Sequence, residues 1–213
     1  EVLFVGDLVL VDEERRQLHL PALPFVGMLV APHPALVVRD ADHLRGDVGL
    51  PESLEELARL RPDFEASGDR RHSALCRLDE SEILLRLNLW DEAGILAGEA
   101  RLGFTELRMG YEAAKSGAFL GASSYRLGDL DGAEREIRAA ARLFRSEGNR
   151  MWRGEMALFM ARILLERGHW TRPLSEARSA RGLLLSSPWS GGSVRAVVVE
   201  ALLGEPDGLR ERG

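Results

Sequence analysis

Cys76 and His72 stand four residues apart, one helical turn, with the imidazole on the N-terminal side of the thiol. A thiol beside an imidazole is the smallest arrangement from which a cysteine hydrolase can be built, because the base can draw the proton from the sulfur. We read nothing that orients the imidazole and nothing that supplies an oxyanion site. The competing expectation is that Cys76 is a small apolar filler on a packed helix. A second constellation gathers His33, Asp40, Asp42 and His43. Asp40 and His43 share one helix face, but a third ligand is not evident, so the pattern reads as a solvated polar face and no metal is expected. Val2–Asp7 resembles a buried strand ending in an acid, as at some nucleotide sites. No G-x-x-x-x-G-K-[ST] loop occurs in the chain, and Ser187–Ser193 is a lysine-free turn. The segment therefore reads as a helix end followed by a Gly-Asp turn, and no cofactor is expected.

These residues depend on the elements that hold them. The 213-residue chain is 45% hydrophobic and 29% charged, a composition that suits a folded protein with a real core. Its net charge of −6 gives no footprint for nucleic acid or an anionic membrane. With Cys76 as the single cysteine there is no internal disulfide and no multi-thiolate zinc site. Lys115 is the only lysine among many arginines, a bias expected of a GC-rich genome. We read no signal peptide and no membrane-spanning segment, and expect a cytoplasmic piece of a longer array.

The organising signal is periodic. Gly128-Asp129 opens a helix whose apolar positions Ala133, Ile137, Ala140 and Phe144 form one narrow face. Forty residues earlier stand Ala93, Ala97, Ala100 and Phe104, and forty later stand Pro173, Ala177, Ala180 and Leu184. Ala41, Ser81, Gly121, Ala161 and Ala201 keep the same ruler, as do turns at Gly46-Asp47, Asn88, Gly128-Asp129 and Gly168-His169. Each period holds two helices and two turns, the signature of a stacked solenoid.

The spacing predicts helices over 51–66, 70–87, 90–106, 111–127, 130–146, 150–167, 171–186 and 193–203. Residues 1–50 are expected to be a degenerate repeat, with a helix over 7–19 and another across 25–45 that Pro32 and Pro34 interrupt. Residues 51–186 are the regular part, and 187–213 a last helix with the frayed start of an unfinished unit. Gly117 and Gly121 lower helix propensity by about 1 kcal/mol each, so close helix approach is expected at both.

Gly121 lies seven residues before Gly128, Ala133 five after and Ala140 twelve after, spacings that resemble the small-residue signature of tetratricopeptide repeats. The unit is longer than the usual one of about 34 residues. Phe64–Arg71, Leu78–Leu84, Tyr111–Lys115 and Leu143–Asn149 are similar to repeat arrays that precede CHAT domains, the caspase- and separase-like domains of large bacterial proteins. Gly117 and Ala157 depart from the pattern, standing where the family places a large aromatic. The resemblance implies an all-α, right-handed α-α superhelix of helical hairpins with about 40 residues per repeat. It implies a non-enzymatic interaction scaffold whose partner is a protein, a peptide or the protein's own downstream domain. The sensor array of a bacterial transcription regulator is the alternative. Carried onto this chain, the concave face holds Asp79, Glu82, Arg86, Lys115, Phe119, Arg126, Phe159, Arg162 and Glu166. Phe119 and Phe159 then either form an apolar ladder for a peptide or pack between repeats.

Overall fold

The computed structural model describes residues 50–169 and 171–184, together with the paired residues 10–11 and 18–19. The chain divides into two units, Glu1–Pro51 and Glu52–Gly213. In the first, β1 (Leu10–Val11) pairs antiparallel with β2 (Leu18–His19), Leu10 opposite His19 and Val11 opposite Leu18. This corrects the helix expected over 7–19. Val11 is β-branched and stiff at χ1, which disfavours a helix and suits a pleated strand. The proline-interrupted helix across 25–45, the group His33, Asp40, Asp42 and His43, and the helix over 193–203 lie outside the described residues.

From residue 50 onward the described residues are helical: α1 (Leu50–Ala66), α2 (Arg70–Arg86), α3 (Trp90–Glu106), α4 (Gly110–Arg126), α5 (Leu130–Ser146), α6 (Arg150–Glu166) and α7 (Thr171–Leu184). Their ends agree with the sequence expectations to within about two residues, the margin at which helix ends are defined. The first six start twenty residues apart, with three residues between each and the next, and four residues separate α6 from α7.

Every one of those turns closes in the same way. The second residue after the helix is left-handed: Gly68 (φ 74°), Asn88 (61°), Arg108 (57°), Gly128 (84°), Gly148 (68°) and Gly168 (74°). The following residue donates its backbone N–H five residues back, as in Leu89 to Leu84 (2.9 Å) and Asp129 to Ser124 (2.9 Å). That is a Schellman closure, which satisfies carbonyls a helix end would leave bare. At three turns the same residue then caps the next helix: Asp69, Asp129 and Asn149 accept the backbone N–H of His72, Gly132 and Trp152.

The helices pack in chain order, α2 on α3 through to α6 on α7, with α2 also against α4. The narrow faces read from the sequence are the buried ones. Ala93, Ala97, Ala100 and Phe104 are buried on α3, Ala133, Ile137, Ala140 and Phe144 on α5, and Pro173, Ala177, Ala180 and Leu184 on α7. α4 and α6 are buried on more of their circumference, as expected of helices with neighbours on several sides. Of the positions read for α1, only Leu57 is fully buried, while Leu54, Leu60 and Phe64 are half-buried. This helix also carries Pro62 in its interior.

The two glycines of α4 differ. A methyl at Gly121 would come within 2.8 Å of the Ile137 Cδ1, so α4 and α5 approach there as only a missing side chain allows. At Gly117 the nearest atoms, on Ala140 and Arg101, are 3.8 Å away and a methyl fits.

Candidate interaction face

α2, α4 and α6 carry the nine residues assigned to a binding face, and the structure gathers eight of them, all but Arg86, into two groups. The first lies where α2 meets α4. Lys115 Nζ is 3.1 Å from Glu82 Oε2, and both residues are buried. The ammonium also sits over the Phe119 ring, 5.3 Å from its centroid. Burial alone would lower the Lys115 pKa, but the Glu82 and Asp79 carboxylates outweigh it and hold the ammonium above its ordinary value. Burial raises the Asp79 carboxyl to about 7; Lys115 opposes this, while Glu82 and Glu80 add to it. The second oxygen of Glu82 is buried and has no hydrogen-bond partner among the described residues.

The second group lies where α4 meets α6. Arg162 donates from Nε to the Tyr125 hydroxyl (2.6 Å), which donates in turn to Glu166 (2.6 Å). Arg162 also lies over the Tyr125 ring at 4.8 Å. Arg126 stacks on Trp90 of α3 at 5.7 Å. Burial, and then the neighbouring Arg162 cation, lower its pKa. No carboxylate pairs with Arg126 among the described residues. Tyr125 is pushed up to about 12, first by burial and then by its bond to Glu166.

Phe119 is wholly buried and Phe159 nearly so, with Phe159 edge-on to Tyr125 at 5.3 Å. Of the two expectations for this pair, packing between helices is what the structure has. Arg86 is half-buried at the end of α2, and Glu166 is exposed.

Trp90, Tyr125 and the Tyr111–Trp152 hydrogen bond (3.1 Å) were not among the expected residues. Tyr111 with Trp152, and Tyr125 with Glu166, are each one period plus one residue apart. Searching the ruler at that offset for a tyrosine with a hydrogen-bonding partner would have found both.

No hydrogen bond joins Cys76 and His72 among the described residues. Cys76 is buried, and burial with the nearby Glu80 and Asp79 charges pushes its thiol up to about 11. A thiolate nucleophile needs the opposite environment. The expectation that nothing orients the imidazole is corrected: Asp69, one turn earlier, lies 2.7 Å from His72 Nδ1, and the ring stacks on Phe64. Among the described residues no group of three or more His, Cys, Asp or Glu side chains could hold a metal. Nor is any helix there long and apolar enough to cross a membrane.

No family model and no curated protein matches this chain.

Proposed function

We propose that this protein is a non-enzymatic interaction scaffold, a tetratricopeptide-like array winding into a right-handed superhelix of about 40 residues per hairpin. The face built by α2, α4 and α6 takes an anionic stretch of a protein or peptide, or of the protein's own downstream domain. The observation that carries this reading is Arg126. It is a half-buried guanidinium stacked on Trp90, beside a second cation, Arg162, with no carboxylate of its own among the described residues. A cation held in that way lacks the partner that burial ordinarily demands, and an incoming carboxylate would supply it.

The test is an array of synthetic peptides probed with the whole chain, followed by Arg126→Glu. Peptides selected by the wild type should be lost by at least about tenfold in Arg126→Glu while the helical circular dichroism stays unchanged. Retention of the same peptides by that variant would end the reading. Phe119 and Phe159 are unsuitable probes, because truncating a buried aromatic costs about 3–5 kcal/mol and unfolding would mask any effect on binding.

A further inference from the structure

A cleft of about 220 Å³ opens where α5 and α7 lie side by side over α6, built from different helix surfaces than the face just described. Its floor is apolar, with Ile137, Met156 and Met160 among its lining, and its rim is cationic, with Arg138, Arg142 and Arg145 from α5 and Arg153 from α6. Arg138 is held by Glu134, at 2.6 and 2.9 Å. The guanidinium groups of Arg142, Arg145 and Arg153 make no hydrogen bond or ion pair among the described residues. The one acid lining the cleft, Glu176, makes none either.

Forty residues earlier the rim positions carry Gly98, Leu102, Thr105 and Ala113, and forty later Arg178, Gly182, Leu185 and Ser193, so Arg142, Arg145 and Arg153 are particular to this place and not part of the shared pattern. There, too, Arg101 reaches across to Glu136 and ties α3 to α5. At the matching position here stands Ala141, which leaves Glu176, the counterpart of Glu136, without its arginine and the cleft open.

We propose that this cleft is a second binding site, for an acidic peptide segment that lays carboxylates along Arg142, Arg145 and Arg153 and inserts an apolar side chain between them. Arg142 and Arg145 stand about 4.5 Å apart along α5, and Arg153 lines the same cleft from α6. A point anion offers one charge, whereas an extended chain, rising about 3.3 Å per residue, carries several carboxylates to cations on both helices. Methionines on the floor adapt to different apolar side chains. Glu176 is left to accept backbone N–H groups of the segment. Residues 130–184 carry eleven basic against seven acidic side chains in a chain of net charge −6, so an acidic segment is drawn to this end. The site stands whether or not Arg126 binds anything.

The experiment titrates the full chain into a fluorescein-labelled hexapeptide of sequence Glu-Leu-Glu-Glu-Leu-Glu, read by anisotropy. A Lys-Leu-Lys-Lys-Leu-Lys peptide serves as comparison. Arg142→Glu with Arg145→Glu should weaken binding of the acidic peptide at least about tenfold. Arg135→Glu with Arg150→Glu, an equal charge change on exposed residues outside the cleft, should stay within about threefold. Ala157→Leu, which fills the cleft without changing charge, should also weaken it. Four results overturn the proposal: no binding by the wild type, equal binding of the basic peptide, equal loss in both double variants, or no effect of Ala157→Leu. Displacement by inorganic pyrophosphate as tightly as by unlabelled peptide replaces the peptide with a small anion. Self-association in sedimentation velocity that the Arg142/Arg145 variant abolishes makes the occupant a second copy. Either outcome also overturns it.

Discussion

The junction of α3 with α5 over α4, and that of α5 with α7 over α6, share a helical plan forty residues apart and use charge in opposite ways. In the first, Arg101 runs past Gly117 to meet Glu136, and nearby acids are spoken for. Glu82 pairs with Lys115, Glu80 with Arg61 (2.9 Å), and Glu65 and Glu99 with Arg77 (2.6 and 2.9 Å). In the second, Ala141 and Ala157 replace Arg101 and Gly117, and three arginines face the cleft without partners. Residues 50–129 hold ten basic and fifteen acidic side chains, and five of the bases, Arg61, Arg70, Arg77, Arg101 and Lys115, each bridge to an acid on another helix. The lesson is that a repeated backbone separates two uses of charge. A paired ion belongs to stability, and an unpaired one on a cleft is available to a ligand.

The sharpest way to break this comparison is Lys115→Ala. It leaves the buried Glu82 and the Asp79 beside it without a counter-charge, and removing one partner of a buried pair costs about 3–5 kcal/mol. Urea unfolding followed by circular dichroism measures it. Arg142→Ala, by contrast, should shift stability by no more than about 0.5 kcal/mol. Similar losses for the two would dissolve the distinction.

The same cluster predicts a pH dependence of intermediate size. Folded Asp79 keeps its proton until about pH 7, while an unfolded aspartate releases it near 3.9. Between those values the folded state binds more protons, so stability falls as pH rises through that window. Lys115, Glu82 and Glu80 are the charged groups acting on it. Asp79→Asn should flatten the slope, with a gain over wild type at pH 8 on the order of 2 kcal/mol after allowance for partial exposure. Melting temperatures across the range would show it. An unchanged slope in the variant would assign the pH dependence to other groups.

A packing prediction follows in size. Gly121 faces Ile137, whereas the equivalent positions one period on are Ala161 and Ala177, both fully buried. Gly121→Ala should therefore cost about 1–3 kcal/mol through overpacking, even though alanine is the better helix former. Adding Ile137→Ala should relieve part of that cost, read as a coupling energy in a double-mutant cycle. Gly117→Ala should stabilise by up to about 1 kcal/mol, since its methyl has room.

Much of the helical part was legible because its signals are local. A small residue every turn on α3 and α5 marks the buried face, and a glycine or Asn88 at the turn marks the left-handed residue. Arg108 takes the same conformation with no such signal, since only its place in the period betrays it. The β1–β2 pair was missed because the ruler was extended into a stretch whose valines favour a strand. The binding face was legible only in outline. Helical spacing says that Lys115 and Arg126 share a face, but it does not say that Glu82 consumes one and leaves the other free. The α5–α7 cleft was not read at all, because it depends on what is missing at Ala141.

The smallest effect tests that missing residue directly. Arg101 and Glu136 are partly exposed, so Arg101→Ala should cost only about 0.2–1 kcal/mol. Ala141→Arg places a guanidinium at the matching position opposite Glu176 and should gain no more than that amount. Stability is the lesser readout here. The introduced side chain should fill the cleft and satisfy Glu176, so binding of the acidic hexapeptide should drop although the rim has gained positive charge. A purely electrostatic attraction would strengthen under the same change. The sign of the affinity shift therefore separates a shaped site from a diffuse positive field, and coupling between Ala141→Arg and Glu176→Gln would show that the two junctions are built alike.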